Sequence, residues 1–125
     1  MNVPVNLKYT KEHEWVLISG DEATIGITEF AQSELGDIVF IEIETLGESL
    51  NREAIFGSIE AVKTVSDLFM PLSGAIILIN SALESNPELV NTDPYGEGWM
   101  IKIKCSNLEE VNTLLDNISY ENLVH

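Results

Sequence analysis

The sequence predicts a mainly β fold: a compact sandwich or barrel-like core with short peripheral helices and a C-terminal helix. Three observations predict it. Short runs rich in Val, Ile, Phe and Thr recur along the chain, turn residues separate them, and only the region 106–125 carries a longer helical period. At 125 residues the chain is expected to be a single domain, 1–125, large enough to bury a core without staples.

Residues 8–10 and 15–18 read as strands, the second entering the turn Ser19-Gly20-Asp21-Glu22 and returning over 24–27. A short helix follows, with Thr28 as N-cap, Glu29 in its first turn and Gly36 as its stop. Residues 38–44 form the strongest strand of the first half, closed by a turn at Leu46-Gly47-Glu48. Residues 54–70 read as a β-hairpin with Lys63 at or near its tip, and Pro71-Leu72-Ser73-Gly74 punctuates its end. The apolar run 75–79 has the length of a buried strand, and the polar, Pro87-containing stretch 80–91 reads as one or two helical turns. The cluster Asp93-Pro94-Tyr95-Gly96-Glu97-Gly98 then feeds a strand over 99–105, with Trp99, Ile101, Ile103 and Cys105 on one face. Ser106 and Glu109 form a capping box for the last helix, whose apolar face carries Leu108, Val111, Leu114, Leu115 and Ile118.

Charge narrows the function. Six basic residues against 21 acidic ones give a net charge of -15. Such a chain is repelled by phosphate backbones and anionic membranes, so no nucleic-acid or membrane partner is expected, and proteins with basic docking faces are favoured. No stretch approaches the ~20 consecutive apolar residues of a membrane span. The opening Met1-Asn2-Val3-Pro4-Val5-Asn6-Leu7-Lys8 lacks the features of a signal or transit peptide. A cytoplasmic location is the expectation, or a mitochondrial one for a processed organellar form. The single cysteine, Cys105, excludes an intrachain disulfide and reads as a buried small hydrophobe.

Signals for catalysis are poor. There is no glycine-rich phosphate loop, no nucleophile elbow and no helical His pair. The two histidines are His13 and the terminal His125, so a triad would rest on His13 alone. Glu12-His13-Glu14 could be an acid/base or metal fragment, but a three-residue polar run before a strand is more often surface. Lys63 is the one basic residue between Arg52 and Lys102, flanked by Glu60 and Asp67. A lone lysine on a hairpin is ordinarily a solubilising charge or a guard against edge pairing.

The particular residues argue for more. Tyr9-Thr10-Lys11-Glu12-His13-Glu14-Trp15-Val16, Gly26-Ile27-Thr28-Glu29-Phe30-Ala31-Gln32 and Leu35-Gly36-Asp37-Ile38-Val39-Phe40 resemble the opening of the glycine cleavage system H protein family. So do Ile59-Glu60-Ala61-Val62-Lys63-Thr64-Val65-Ser66-Asp67 with Pro71-Leu72-Ser73-Gly74, and Asn86-Pro87-Glu88-Leu89-Val90-Asn91 running into Asp93-Pro94-Tyr95-Gly96-Glu97-Gly98-Trp99. The blocks stand in family order over nearly the whole chain.

The resemblance implies a lipoyl/biotinyl-carrier-like barrel-sandwich hybrid with lipoate in amide linkage on Lys63. Acylation would remove the lysine charge and take the formal net charge from -15 to -16. It also implies that Glu14, Glu12 and Asp67 belong to a groove in which the arm docks. The implied role is a non-catalytic shuttle, working as a monomer. It would take the aminomethyl group of glycine from the pyridoxal-phosphate glycine decarboxylase to the folate-dependent aminomethyltransferase. Dihydrolipoamide dehydrogenase would then reoxidise the arm, and a lipoate-attaching enzyme would install it. Ala61 and Thr64 stand where serine and alanine are common, and both are small enough to spare attachment. Glu34 stands where some relatives have histidine, so an arm contact by that histidine is not carried over. A biotin carrier is the nearest rival, but Val62 and Thr64 replace the methionines that flank such a lysine. A lipoyl relay to other lipoate-dependent enzymes and an unmodified interaction scaffold are the remaining alternatives.

Overall fold

The structure, a computed structural model, describes residues 1–124. Strands β1 (Lys8–Tyr9), β2 (Glu14–Ser19) and β3 (Glu22–Ile27) are followed by helix α1 (Glu29–Leu35) and strand β4 (Ile38–Glu42). Next come β5 (Ser49–Leu50), β6 (Ile55–Ala61), β7 (Val65–Phe69) and β8 (Gly74–Ile79). The one-turn helices α2 (Ala82–Ser85) and α3 (Leu89–Thr92) lead to β9 (Ile101–Cys105), a 3-10 segment (Leu108–Thr113) and α4 (Asn117–Leu123).

The strands form two antiparallel sheets, one of six strands in the order β1-β2-β3-β9-β8-β5 and one of three in the order β4-β6-β7. Period-two alternation explains which faces meet. Val16, Ile25, Ile76, Ile101 and Ile103 from the large sheet and Ile41, Phe56, Ile59 and Leu68 from the small one join a single buried cluster. Each fully buried side chain of this size contributes about 1.5–3 kcal/mol before chain entropy is subtracted. A second cluster, Leu7, Tyr9, Trp15 and Tyr120, docks α4 onto β1 and β2. There the Tyr9 and Tyr120 rings stack with centroids 4.8 Å apart, and the Trp15 indole N–H donates to the Pro94 carbonyl at 2.9 Å.

The mainly β architecture with short helices meets the expectation, and so do the Thr28 cap and the Gly36 stop. The Thr28 hydroxyl accepts from the Ala31 N–H at 3.1 Å, and Gly36 has φ +81°. Three local expectations fail. No continuous helix starts at Ser106. Asn107 caps the 3-10 segment instead, its side chain accepting from the Glu109 N–H, while Glu110 rather than Glu109 reaches a distant partner, Ser73. The chain then runs extended at Leu114–Asp116 because Tyr9 and Leu115 exchange backbone hydrogen bonds, both at 2.8 Å. A fresh cap at Asp116 starts α4, whose buried residue is Tyr120, whereas Ile118 is exposed. Second, the 75–79 run is only partly buried: a bulge between Ile76 and Leu78 leaves Ile77 and Leu78 exposed. Third, the shared face of 99–105 holds only from Ile101 onward. Met100 is fully buried, its N–H donating to the Ile25 carbonyl outside the ladder register.

Candidate functional site

Strands β6 and β7 pair from Ile55↔Phe69 up to Glu60↔Val65, which leaves Val62 and Lys63 to make the turn. The Ala61 N–H donates to the Thr64 carbonyl at 2.8 Å and closes the hairpin. The Val62 N–H donates to the Asp37 carbonyl at 3.0 Å, which ties the tip to the corner between α1 and β4. That corner is itself clamped. The Asn91 side-chain amide donates to the Gly36 carbonyl and to Gln32 Oε1, both at 2.9 Å, and its carbonyl accepts from the Ile38 N–H at 2.9 Å. Lys63 is solvent-exposed, and its stem lies across Gly36: a Cβ placed there would sit 3.5 Å from Lys63 Cε and 3.9 Å from Nζ. The lysine therefore has a rigid base and an accessible amine.

Beside this base opens a cleft of about 190 Å³. Its acidic wall is Glu12, Glu14, Glu34 and Asp67, and its apolar wall includes Phe30, Leu35, Ile59 and Leu68. Leu35 and Glu34 immediately precede Gly36, and Ser66 and Asp67 closely follow Lys63, so the lysine stem stands at the rim. The structure thus brings Glu12, Glu14 and Asp67 together in one cleft. Lys63 stands at its rim and is not part of its lining.

Glu14 is the unusual member. It is 3 % exposed, and burial pushes its carboxyl up to about 7, against hydrogen bonds from the Thr10 hydroxyl and the Phe69 backbone that pull it down. The Thr10 hydroxyl donates to Oε1 at 2.5 Å. No ion pair involves Glu12, Glu14 or Asp67 among the described residues, whose one salt bridge joins Lys104 to Asp21 on the surface. An acidic cleft without an internal cation suits a positively charged guest. A second, larger cavity of about 320 Å³ shares Glu12 and Glu14 with the cleft but opens toward Lys11, Arg52 and Thr113, and Lys63 does not border it.

A family model described as Glycine cleavage H-protein matches residues 7–125. The chain belongs to that family. The glycine cleavage system H protein of Bacteroides fragilis is 55% identical over 125 residues, covering 100% of this chain and 99% of its own. That of Bacteroides thetaiotaomicron is 57% identical over the same length, again with 100% and 99% coverage. A crystal structure of a glycine cleavage system H protein from Mycobacterium marinum superposes with a TM-score of 0.88 at 36% identity, covering 96% of this chain and 97% of that one. The H-protein role in glycine cleavage is that of a carrier without catalysis of its own.

The surface reading of Glu12-His13-Glu14 holds for Glu12 alone. Glu14 is buried and His13 partly so. His13 has φ +68°, its N–H donates to the Thr10 carbonyl and its carbonyl accepts from Thr28, so the run is folded back against α1. Sequence reasoning missed Asn91 and the Gly36 seat as supports of the lysine, and Phe30 and His13 as cleft walls. Asn91 had a signal in retrospect, as a polar residue closing the Asn86–Asn91 block. His125 lies outside the described residues. No helix among the described residues is long and apolar enough to cross a membrane.

Proposed function

We propose that Lys63 carries lipoate in amide linkage, that residues 1–125 act as one carrier domain, and that Glu14, Glu12 and Asp67 shelter the amine-bearing cargo. The observation that carries this reading is an exposed lysine on a two-residue tip, seated over Gly36 at the mouth of an acidic cleft. The bound lipoyl group would supply a disulfide that accepts the aminomethyl unit left when glycine is decarboxylated, and a dithiol that is reoxidised afterwards.

The chain's own residues account for the rest. The Val62–Asp37 hydrogen bond and the Asn91 clamp hold the root of the arm still, while the exposed lysine lets its far end visit separate active sites. A cation in contact with a carboxylate at a surface-like dielectric gains about 4 kcal/mol, several times the thermal energy. Phe30, Leu35 and Ile59 limit water on the other side of the cleft. An arriving ammonium favours the ionised form of Glu14, so the cleft becomes anionic where the cation lies.

The partners that follow are a glycine decarboxylase, an aminomethyltransferase, dihydrolipoamide dehydrogenase and a lipoate-attaching enzyme, met in the cytoplasm by a monomeric carrier. Partners with basic rims suit a chain of net charge -15. Intact mass of protein made with lipoate and a lipoate-attaching enzyme tests the reading. One lipoyl increment is expected on the wild type and none on Lys63→Arg. A wild type without an increment, or with a biotin-sized one, would overturn it.

A further inference from the structure

The cleft wall has a support that belongs to the C-terminal helix. Tyr120 is fully buried, and its hydroxyl lies 2.8 Å from His13 Nδ1 and 2.7 Å from the Thr28 hydroxyl. His13 lines the cleft and sits between Glu12 and Glu14. Thr28 caps α1, the helix that supplies Phe30, Glu34 and Leu35 to the cleft and ends at the Gly36 seat of Lys63. A single phenolic oxygen thus joins two walls of the cleft. The ring around it does the packing: it stacks on Tyr9 and meets the His13 ring edge-on at 5.8 Å.

We propose that Tyr120 is a positioning residue of the carrier cleft, its hydroxyl fixing the His13 imidazole and, through Thr28, the start of α1. The inference rests on the carrier reading above for its functional consequence, but not for its geometry.

His13 needs such a tether. Its backbone is in the left-handed region, which a non-glycine residue occupies at a cost, so the Thr10–Glu14 turn holds its shape only where surrounding contacts over-determine it. With Nδ1 engaged, the ring is held in one orientation, as for imidazoles held by a second hydrogen-bonded group. Without the phenol, Nδ1 and the Thr28 hydroxyl each lose a buried partner and the ring can rotate about its χ angles. The tilted contact with Phe30, with centroids 5.0 Å apart, would change with it.

Tyr120→Phe keeps the stacked ring and removes the hydroxyl. Tyr9→Phe is the matched control, because it removes a buried hydroxyl from the same aromatic cluster, one bonded to the Pro4 carbonyl rather than to the cleft. Two readouts separate positioning from packing. The first is the ¹⁵N imidazole spectrum of His13 in unmodified protein, simple to assign in a chain with two histidines. The second is the lifetime of the cargo on lipoylated, loaded protein. Tyr120→Phe should shift the His13 nitrogens and shorten the lifetime about fivefold, the worth of one neutral hydrogen bond. Tyr9→Phe should do neither at comparable melting temperature. Unchanged His13 nitrogens in Tyr120→Phe, or an equal loss of lifetime in both variants, would overturn the proposal. A wild type that takes no lipoyl group would instead overturn the carrier reading, and the His13 spectrum would still decide the positioning link.

Discussion

Glu14 is a carboxyl buried in a cleft wall. Its carboxyl binds a proton more tightly in the folded protein, at about 7, than at the ordinary 4.5. Stability from this group is therefore fully present below pH 4.5 and is lost as pH rises through 7, a difference of roughly 3 kcal/mol. Glu14→Gln keeps an oxygen to accept from Thr10 and never ionises. Urea unfolding at pH 5 and pH 8 should show the wild type losing stability over that interval and the variant holding it, so that the variant is the more stable at pH 8. Equal pH slopes would place the carboxyl in contact with solvent. Little of this was legible beforehand. A Glu-His-Glu run looks like surface, and strand β2 buries Glu14, Trp15 and Val16 in succession because Val16 faces the main core and Trp15 the aromatic cluster behind it. Alternation cannot announce a strand that is covered on both sides.

The lysine hairpin and its corner act together as a unit. The strands on either side of Lys63 were readable from short apolar runs and the polar break between them, and they pair from Ile55↔Phe69 to Glu60↔Val65 with a bulge between Ile55 and Gly57. The support beneath the tip was not readable, because it comes from Asn91, 28 positions away (91 − 63) and on a different element. Asn91→Ala leaves the Gly36 carbonyl and the Ile38 N–H without their partner, at a cost of about 1–3 kcal/mol. Chemical denaturation should register that loss, and attachment of lipoate at Lys63 should slow, since the same corner accepts the Val62 N–H. A variant as stable and as readily modified as the wild type would show the clamp to be dispensable. The C-terminal region teaches the opposite lesson. Its leucines and isoleucine fall at helical spacing, yet the Tyr9–Leu115 backbone pairing demands an extended chain in the middle of that pattern. Two long-range hydrogen bonds and the burial of Tyr120 outweigh a weak local periodicity.

Across the whole molecule, the two sheets pack around a shared buried cluster, with Lys63 at the tip of the β6–β7 hairpin. The general architecture was legible because many short strands with turns between them admit few alternatives, and the family motifs fixed Lys63 within it. Assembly of the cleft from five separate elements, the 12–14 corner, Ile27 at the end of β3, α1, Ile59 of β6 and the Ser66–Leu68 part of β7, was not, since spacing along the chain says nothing about convergence in space. On the proposed function, that convergence would let the cleft beside Lys63 retain an amine-bearing cargo between visits to partner enzymes. The lifetime of the loaded group on lipoylated protein in the absence of partners, compared with Glu14→Ala, tests it most directly. Loss of one charge-assisted contact should shorten the lifetime about tenfold, with attachment at Lys63 unaffected. A lifetime equal to the wild type's would contradict the claim and leave the acidic cleft without a part in holding the cargo.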